Sequence, residues 1–172
     1  MVIETERLLL SEMTDEDFCA LYKVLADPDI MQHYPYAFDE SRVRNWIARN
    51  IERYQGFGVG LWAVCLKATG EMIGDCGLTM QLINGIIQPE IGYHIRADKQ
   101  RNGYAKEAAI AVRDWTFNNT PFNIIYYYMK YTNEASAKTA MSYGCKFVEE
   151  FSDEINEITK VFAFSRDEWM TR

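Results

Sequence analysis

The stretch Asp98–Ala109 (DKQRNGYAKEAA) places a charged turn with a glycine directly before alanines at helical spacing. The first N–H groups of a helix have no partner inside it, and they carry the positive end of the helix dipole. Gly103 permits a tight turn, and the small side chain of Ala105 leaves room for a ligand beside it. The turn is therefore a candidate phosphate-binding site. The alternative is a solvated strand-to-helix connection, since neither the P-loop nor the dinucleotide-binding glycine pattern occurs in the chain.

A second candidate for chemistry is Glu90, in the segment PEIGYHI. Alternation along a strand puts Glu90, Gly92 and His94 on one face. A carboxylate there can act as a general base, often through a water, or it is an exposed strand residue or a group that orients a substrate. His94 is a further candidate because histidine titrates near neutral pH. His33 is the other histidine, and two histidines without clustered cysteines predict no metal site.

The elements that must position these residues are predicted from periodicity and turn signals. The chain reads as β-α-α-β-β-β-α-β-α-β-β, which predicts a mostly antiparallel sheet with helices on its faces, an α/β (α+β) fold. A hairpin is expected at Asn84-Gly85, and a right-handed parallel crossover over Ile86–Tyr131. Predicted helix caps are Thr14, with Asp17 completing a capping box, Asp39, and Asn133.

Length and composition restrict the class of protein. The 172 residues, with 48% hydrophobic side chains, predict one domain over residues 1–172. The net charge of −7 disfavours a nucleic-acid binder and fits a cationic partner or solubility alone. The start of the chain, MVIETERLLL, lacks the pattern of a signal peptide, and no apolar run is long enough to span a bilayer. We therefore expect a cytoplasmic protein with no membrane partner.

The cysteines support the same compartment. Cys19, Cys65, Cys76 and Cys145 form no C-x-x-C pair, and each lies in an apolar-looking segment. We expect buried free thiols in a reducing environment.

The six residues from Gln100 to Ala105 resemble the Q/R-x-x-G-x-G/A signature of the GNAT superfamily of acetyl-CoA-dependent N-acetyltransferases. The segments ETERLLL, EIGYHI and NEASAKTAMSYGCKF, in this order, look like the RimJ/RimL-like branch, which acetylates ribosomal proteins. The resemblance runs from Ile3 to about Trp169. It implies the GNAT fold, with a mixed, mostly antiparallel sheet of six to seven strands flanked by about four helices.

The resemblance also implies where acetyl-CoA binds. The pyrophosphate is expected mainly on backbone N–H groups of the turn, formed by Gln100, Arg101, Asn102, Gly103, Tyr104 and Ala105. The pantetheine arm is expected to pair like an extra strand with the main chain of His94 and Ile95. Asn133 is expected to bond the arm, and Ser136 to lie near the thioester sulfur.

The reaction implied is direct attack of an amine on the thioester. By resemblance, Glu90 is the candidate base. Many relatives carry a tyrosine seven residues after the asparagine of the N-x-x-S pattern, where it protonates the leaving thiolate. Counting from Asn133 gives Ala140, which has no proton to donate. Ser136 is then the candidate partner of the sulfur, while helix capping or packing is its alternative role, and Tyr143 is expected to pack.

The acceptor side is expected to come from the early helices and mid-chain loops. The candidates to line an amine pocket through cation–π contacts are Tyr34, Tyr36, Phe38 and Trp62. The alternative is that these residues belong to the ordinary hydrophobic core and to one lid loop. The acceptor could be the N-terminus of a ribosomal protein, a polyamine or another small amine. The alternatives are an acyl-CoA-binding module without catalysis and a structural domain without a cofactor. The resemblance leaves monomer and homodimer open.

Overall fold

The computed structural model describes residues 2–171, which form an eight-stranded sheet and five α-helices. The strands are β1 (Val2–Glu4), β2 (Leu8–Ser11), β3 (Leu61–Leu66), β4 (Met72–Ile83), β5 (Ile86–Ile95), β6 (Ile124–Lys130), β7 (Lys146–Asp153) and β8 (Glu157–Ser165). The helices are α1 (Phe18–Leu25), α2 (Glu40–Phe57), α3 (Tyr104–Asn119), α4 (Glu134–Ser142) and α5 (Arg166–Met170). The predicted mixed, mostly antiparallel fold is confirmed, with more strands and helices than expected.

The strands lie in the order β1-β2-β3-β4-β5-β6-β8-β7. Neighbours pair antiparallel except β5 and β6, which run parallel as the crossover through α3 requires. The β4–β5 hairpin is long, and it turns at Asn84 and Gly85, whose φ angles are 47° and 79°. Positive φ at both positions is what a two-residue hairpin turn of the favoured twist needs. The predicted hairpin is therefore confirmed.

Both faces of the sheet are covered, and alternation along β3 shows how. Trp62 and Val64 pack into a cluster with the buried side of α3, while Leu61 and Ala63 pack with α1 and α2 on the other face. A central strand with apolar residues on both faces reads as a continuous hydrophobic run, as LWAVCL does. The two faces of β5 consequently look toward different helices.

Three predicted caps form. Asp17 accepts from the backbone N–H of Thr14 at 2.8 Å, in a short 3₁₀ turn that leads into α1. Asp39 accepts from the N–H of Arg42, and Asn133 from the N–H of Ser136. Each satisfies a donor that a helix start leaves open.

The ends of the chain differ from expectation. The first predicted strand is a hairpin of two short strands, β1 and β2, with a turn at residues 5–7. Helix α5 was not predicted. Ser165 begins it with a capping box to Glu168, and the Arg166 guanidinium donates to the carbonyl oxygens of Phe117, Thr120 and Phe122. A five-residue helix held by such distant contacts leaves too short a periodic signal to read.

The cysteines agree with expectation only in part. Cys76 and Cys145 are buried free thiols, but Cys65 is half-buried and Cys19 is exposed at the start of α1. Cys19 lies on the solvent side of an amphipathic helix, so its apolar neighbours in sequence are not its neighbours in space.

Among residues 2–171, no helix has the length and apolarity that a membrane span requires.

Close packing of strands at Gly77 generates a stability prediction. A Cβ atom there would lie 2.0 Å from the carbonyl oxygen of Gly60 and 2.7 Å from Cα of Leu61, so Gly77→Ala must displace the start of β3. We expect the free energy of unfolding in urea to fall by roughly 1–3 kcal/mol. Gly56→Ala is the matched control: a Cβ meets nothing within 4 Å in α2, and stability should rise by about 0.5–1 kcal/mol. An unchanged urea midpoint for Gly77→Ala contradicts this account.

Candidate functional site

The site is organised by an opening between β5 and β6. Within the described chain, the parallel register joins these strands at Glu90 opposite Tyr126. Beyond that point β5 stays paired with β4 as far as Ile95 opposite Gly74, while β6 continues along β8 to Lys130 opposite Thr159. The β5 edge past Glu90 therefore offers main-chain groups to another extended segment, which is how strand addition works.

The turn at the start of α3 lies beyond the end of β5. Arg101 and Gly103 both have positive φ, 61° and 80°. Left-handed residues in such a turn are one way in which successive backbone N–H groups come to line an anion-binding concavity. The side chains of Gln100 and Asn102 serve the turn itself: the Gln100 amide donates to the Ile95 carbonyl oxygen at 3.0 Å, and the Asn102 amide to that of Gln100 at 3.0 Å. This leaves the main chain of the turn and the start of α3 as the candidate groups for binding an anion.

Arg7 braces this turn, and sequence reasoning missed it. Its guanidinium donates to the Asn102 carbonyl oxygen at 3.0 Å, forms an ion pair with Glu107 at 2.6 Å, and lies 4.6 Å from the ring centroid of Tyr104. The Glu107 carboxylate also accepts from the hydroxyl of Thr5. A cavity of about 640 Å³ lies between this β1–β2 turn and α3, with Gly103 among its lining residues. Nothing local in the sequence links Arg7 to a helix a hundred residues away.

Glu90 lies on the α1–α2 face and is 8% exposed. One carboxylate oxygen accepts from the hydroxyl of Thr79 at 3.1 Å, and the carboxylate lies over Gly92, where a Cβ atom would be 3.2 Å from it. Burial raises the pKa of Glu90 to about 7, although the Thr79 hydrogen bond and the charges of His94 and Arg53 oppose the rise. A carboxyl group with this pKa is divided between its two forms at neutral pH, as a general base requires.

His94 lies on the same face, in a buried chain of hydrogen bonds. Its Nδ1 is 2.7 Å from a carboxylate oxygen of Asp75, and its Nε2 is 2.7 Å from the hydroxyl of Tyr34. The other Asp75 oxygen accepts from the indole N–H of Trp46 at 2.9 Å. Burial, the largest single effect, opposes ionisation of His94, but the charge and hydrogen bond of Asp75 together with the charge of Glu90 outweigh it, so the pKa is raised.

Asp75 reaches this face through the register of the β4–β5 hairpin. The pairing is regular from Ile83 opposite Ile86 to Gly74 opposite Ile95, and it sets Asp75 opposite His94. A β-bulge lies just beyond this point, where Val64 pairs with Gly74 but Cys65 pairs with Met72. The two-residue turn at Asn84 and Gly85 fixes the register that brings Asp75 to His94.

The predicted aromatic pocket is brought together in part. Tyr34 and Trp46 lie 5.4 Å and 5.9 Å from the His94 ring, and Phe38 lies 5.5 Å from Trp46. Tyr36 is 54% exposed and reaches this group through Phe38, at 6.3 Å. In the sequence Trp46 is one of several apolar residues at helical spacing in α2, a pattern that predicts packing and not a site.

Trp62 lies elsewhere. It is 1% exposed and packs edge-to-face on Trp115 in the cluster on the α3 face. Alternation along β3 turns it away from the face that carries Glu90 and His94, so it lies apart from the other predicted pocket residues.

On the α3–α4 face, a pair of hydroxyl groups joins β5 to α4. The Tyr93 hydroxyl lies 2.9 Å from that of Ser136, whose backbone N–H donates to Asn133. Burial raises the pKa of Tyr93 to about 12, so this phenol keeps its proton at neutral pH. Ala140 is fully buried, and Tyr143 packs on Tyr127 in the core. A hydroxyl from β5 thus lies beside Ser136, a contact that no spacing within α4 could indicate.

A comparison with protein families decides the identity of this arrangement. Residues 7–146 match the family model of the acetyltransferase (GNAT) domain. The chain belongs to the GNAT acetyltransferase family. The resemblance read from the sequence is thereby confirmed, and the chain is an acetyltransferase of the acetyl-CoA-dependent kind.

Individual relatives agree with this assignment. The uncharacterized protein YkkB of Bacillus subtilis is 36% identical over 144 residues, which cover 83% of this chain and 84% of YkkB. A crystal structure of an acetyltransferase from Agrobacterium tumefaciens matches with a TM-score of 0.83 and 26% identity, over 96% of this chain and 95% of that one. The RimL ribosomal L7/L12 α-N-protein acetyltransferase in complex with coenzyme A matches with a TM-score of 0.81, over 98% and 99% of the chains, and shares the fold at 17% identity.

No group of three or more His, Cys, Asp or Glu side chains within residues 2–171 is placed to hold a metal ion. The titratable and hydroxyl groups beside the opening lie on both faces of the sheet. On the α1–α2 face these are Glu90, His94 and Asp75, and on the α3–α4 face they are the hydroxyls of Tyr93 and Ser136.

Proposed function

We propose that this acetyltransferase moves the acetyl group of acetyl-CoA to a primary amine by direct attack. The observation that carries the proposal is the opening of the sheet beyond Glu90, with a buried carboxyl group on one face and a pair of protonated hydroxyls on the other. An amine and a thioester that meet at such an opening have a proton acceptor on one side and proton donors on the other.

Acetyl-CoA fits this chain as cosubstrate at two points. The turn offers backbone N–H groups of residues 101–105 to the pyrophosphate, since that of Gln100 donates to Ala97. The open edge of β5 is the place for the pantetheine arm. There the carbonyl oxygen of His94 lies against Gly74 of β4, and that of Ile95 already accepts from the Gln100 amide. The side-chain oxygen of Asn133 is used by the helix cap, so the amide N–H groups of Asn133 are the donors for the arm.

Glu90 acts in this proposal as the base that converts the ammonium form of the acceptor to the reactive amine. Its side chain is close enough to the β5 edge to meet a group bound there, because it lies over Gly92. Burial also gives the carboxylate a greater affinity for a proton than an exposed glutamate has. The structural alternative is a Glu90 that only orients the acceptor.

The departing thiolate is held on the opposite face. Ser136 donates its hydroxyl proton in a hydrogen bond to the sulfur, and Tyr93 donates to the Ser136 oxygen in turn. Tyr93 is thus a positioning residue, since it acts through Ser136. This arrangement offsets the absence of a tyrosine at position 140.

The acceptor enters beside Tyr34 and Trp46, whose rings lie next to His94, and Phe38, which packs on Trp46. Aromatic faces attract an ammonium group, so a small-molecule amine is one candidate acceptor. The N-terminus of a protein, including a ribosomal protein, is the second candidate, and it is supported by the likeness in fold to the RimL enzyme. The rival to both is binding of acyl-CoA without catalysis.

The test of the function is thiol release from acetyl-CoA across a panel of amines that includes polyamines, small monoamines and ribosomal-protein N-terminal peptides. We expect at least one amine to raise thiol release well above hydrolysis. Coenzyme A binding measured by calorimetry separates the rivals. Binding without acceleration by any amine would leave a non-catalytic module, and no binding would remove the cosubstrate altogether.

Glu90→Gln removes the base and keeps its shape. We expect kcat to fall by about 10²-fold or more with the Kd of coenzyme A unchanged. In the wild type, kcat should rise as the pH passes about 7, where Glu90 loses its proton, and this rise should be lost in the variant. Glu154→Gln, at an exposed position in the β7–β8 turn, is the control. A Glu90→Gln enzyme with wild-type turnover over the full pH range would falsify the base role.

Ser136→Ala and Tyr93→Phe test the hydroxyl pair. Each should lower kcat several-fold, and the double variant should be little slower than the slower single one, since the two act as a unit. The effect should shrink when acetyl-CoA is replaced by an acetyl thioester of a more acidic thiol, which leaves without help. Additive effects that do not depend on the leaving group would show that the pair only packs α4 against β5.

A further inference from the structure

The buried chain Asp75–His94–Tyr34 is not used by the mechanism above. Its two links are both 2.7 Å, Asp75 is fully buried, and His94 is 7% exposed. Tyr34 differs: the residue is 45% exposed, so the chain runs from the core to the side from which the acceptor enters. A hydrogen-bonded path of this kind connects the acceptor side to a buried base.

The direction of the hydrogen bonds follows from the chemistry of the groups. A carboxylate only accepts, so Nδ1 of His94 donates to Asp75, and in neutral His94 Nε2 is left as an acceptor. Tyr34 then donates its hydroxyl proton to Nε2, and its oxygen keeps lone pairs for a donor from outside. An amine or ammonium N–H is such a donor. When His94 is protonated, its Nε2–H donates to the Tyr34 oxygen, and the Tyr34 hydroxyl then offers its own proton to the acceptor side.

We propose that Tyr34, His94 and Asp75 form a proton relay that takes a proton from the acceptor nitrogen during acetyl transfer. This rests on the proposed function.

In the reaction, Glu90 takes the first proton, from the ammonium. As the amine attacks, the N–C bond forms and the nitrogen becomes positively charged. The nitrogen passes a proton to the Tyr34 oxygen while the Tyr34 hydroxyl proton passes to Nε2 of His94. The C–S bond breaks with its electron pair on sulfur, which is protonated from solvent. The imidazolium and the protonated Glu90 return their protons to solvent, so two protons leave and one is taken up.

The groups around His94 suit this role. Asp75 on β4 and Glu90 on β5 are the acidic neighbours, and both favour the imidazolium that the relay forms. The positive charge of Arg53 on α2 favours the ionised form of Glu90. Tyr128 on β6 contributes to the raised pKa of Tyr34. The Tyr34 hydroxyl is enclosed against His94, although the residue as a whole is partly exposed. Burial of this hydroxyl raises its pKa well above its usual range, so the phenol passes a proton on without itself remaining ionised. In this scheme Tyr34 contacts the substrate, His94 accepts the proton that Tyr34 passes on, and Asp75 positions His94.

Tyr34→Phe is the first test because the residue is partly exposed and the substitution removes one oxygen. With the best acceptor from the amine panel, we expect kcat to fall by about 10²-fold while the KM for acetyl-CoA stays unchanged. Tyr22→Phe, on α1 with its ring against Phe18, is the matched control and should behave like the wild type. Thermal unfolding of both variants shows whether either substitution alters stability.

The pH profile separates a relay from a merely structural role. His94 accepts a proton only when neutral, and its pKa is raised, so wild-type kcat should rise with pH through a second ionisation besides that of Glu90. His94→Gln and Tyr34→Phe should each lose that ionisation and keep the one of Glu90. NMR titration of the two imidazoles gives an independent readout: Asp75→Asn should lower the pKa of His94 and leave that of His33 unchanged.

The outcomes are distinct. If no amine accelerates thiol release by the wild type, the proposed function fails. If the wild type is active but Tyr34→Phe and His94→Gln match it in kcat and in pH profile, the relay is wrong and the function stands. If Tyr34→Phe raises the KM for the amine alone, Tyr34 only binds the acceptor and the relay is likewise overturned.

Discussion

The separation of β5 from β6 after Glu90 is the constraint on which the rest of the structure depends. Two parallel strands that stayed paired would bond all their main-chain groups to each other and leave no edge for a cosubstrate. The long antiparallel pairing of β5 with β4 and of β6 with β8 holds each strand in place on its outer side, so the inner edges can part. The opening is therefore held by strands that do not themselves line it.

Polar groups gather where the sheet opens, and each has a partner that offsets the cost of burial. Asp75 is fully buried, yet its two oxygens accept from His94 and Trp46. Glu90 has a single hydroxyl partner in Thr79, so much of its desolvation is uncompensated and results in a raised pKa. The less satisfied carboxyl group is the one best suited to exchange protons, and the well-satisfied one is suited to hold a neighbour in place.

The two faces of β5 divide the chemistry. Glu90 and His94 look toward α1, α2 and the aromatic loop, whereas Tyr93 looks toward α4 and Ser136. Alternation within one strand thus places carboxyl and imidazole groups on one face and a phenol hydroxyl on the other. In the proposed mechanism, the hydrogen bond that Ala140 cannot donate comes from Ser136 of α4, which Tyr93 of β5 positions.

The sequence by itself determined the order of the elements, the hairpin at Asn84-Gly85, the helix caps and the family, because these depend on periodicity, turn chemistry and short motifs that neighbouring residues carry. It also put Glu90 and His94 on one face of a strand. Only the tertiary structure decided that Asp75 bonds to both His94 and Trp46, that Trp62 faces the other way, that Arg7 braces the turn before α3, and that Tyr93 meets Ser136. These contacts join residues far apart in the chain, and their geometry is fixed by strand register and packing, which no local pattern records.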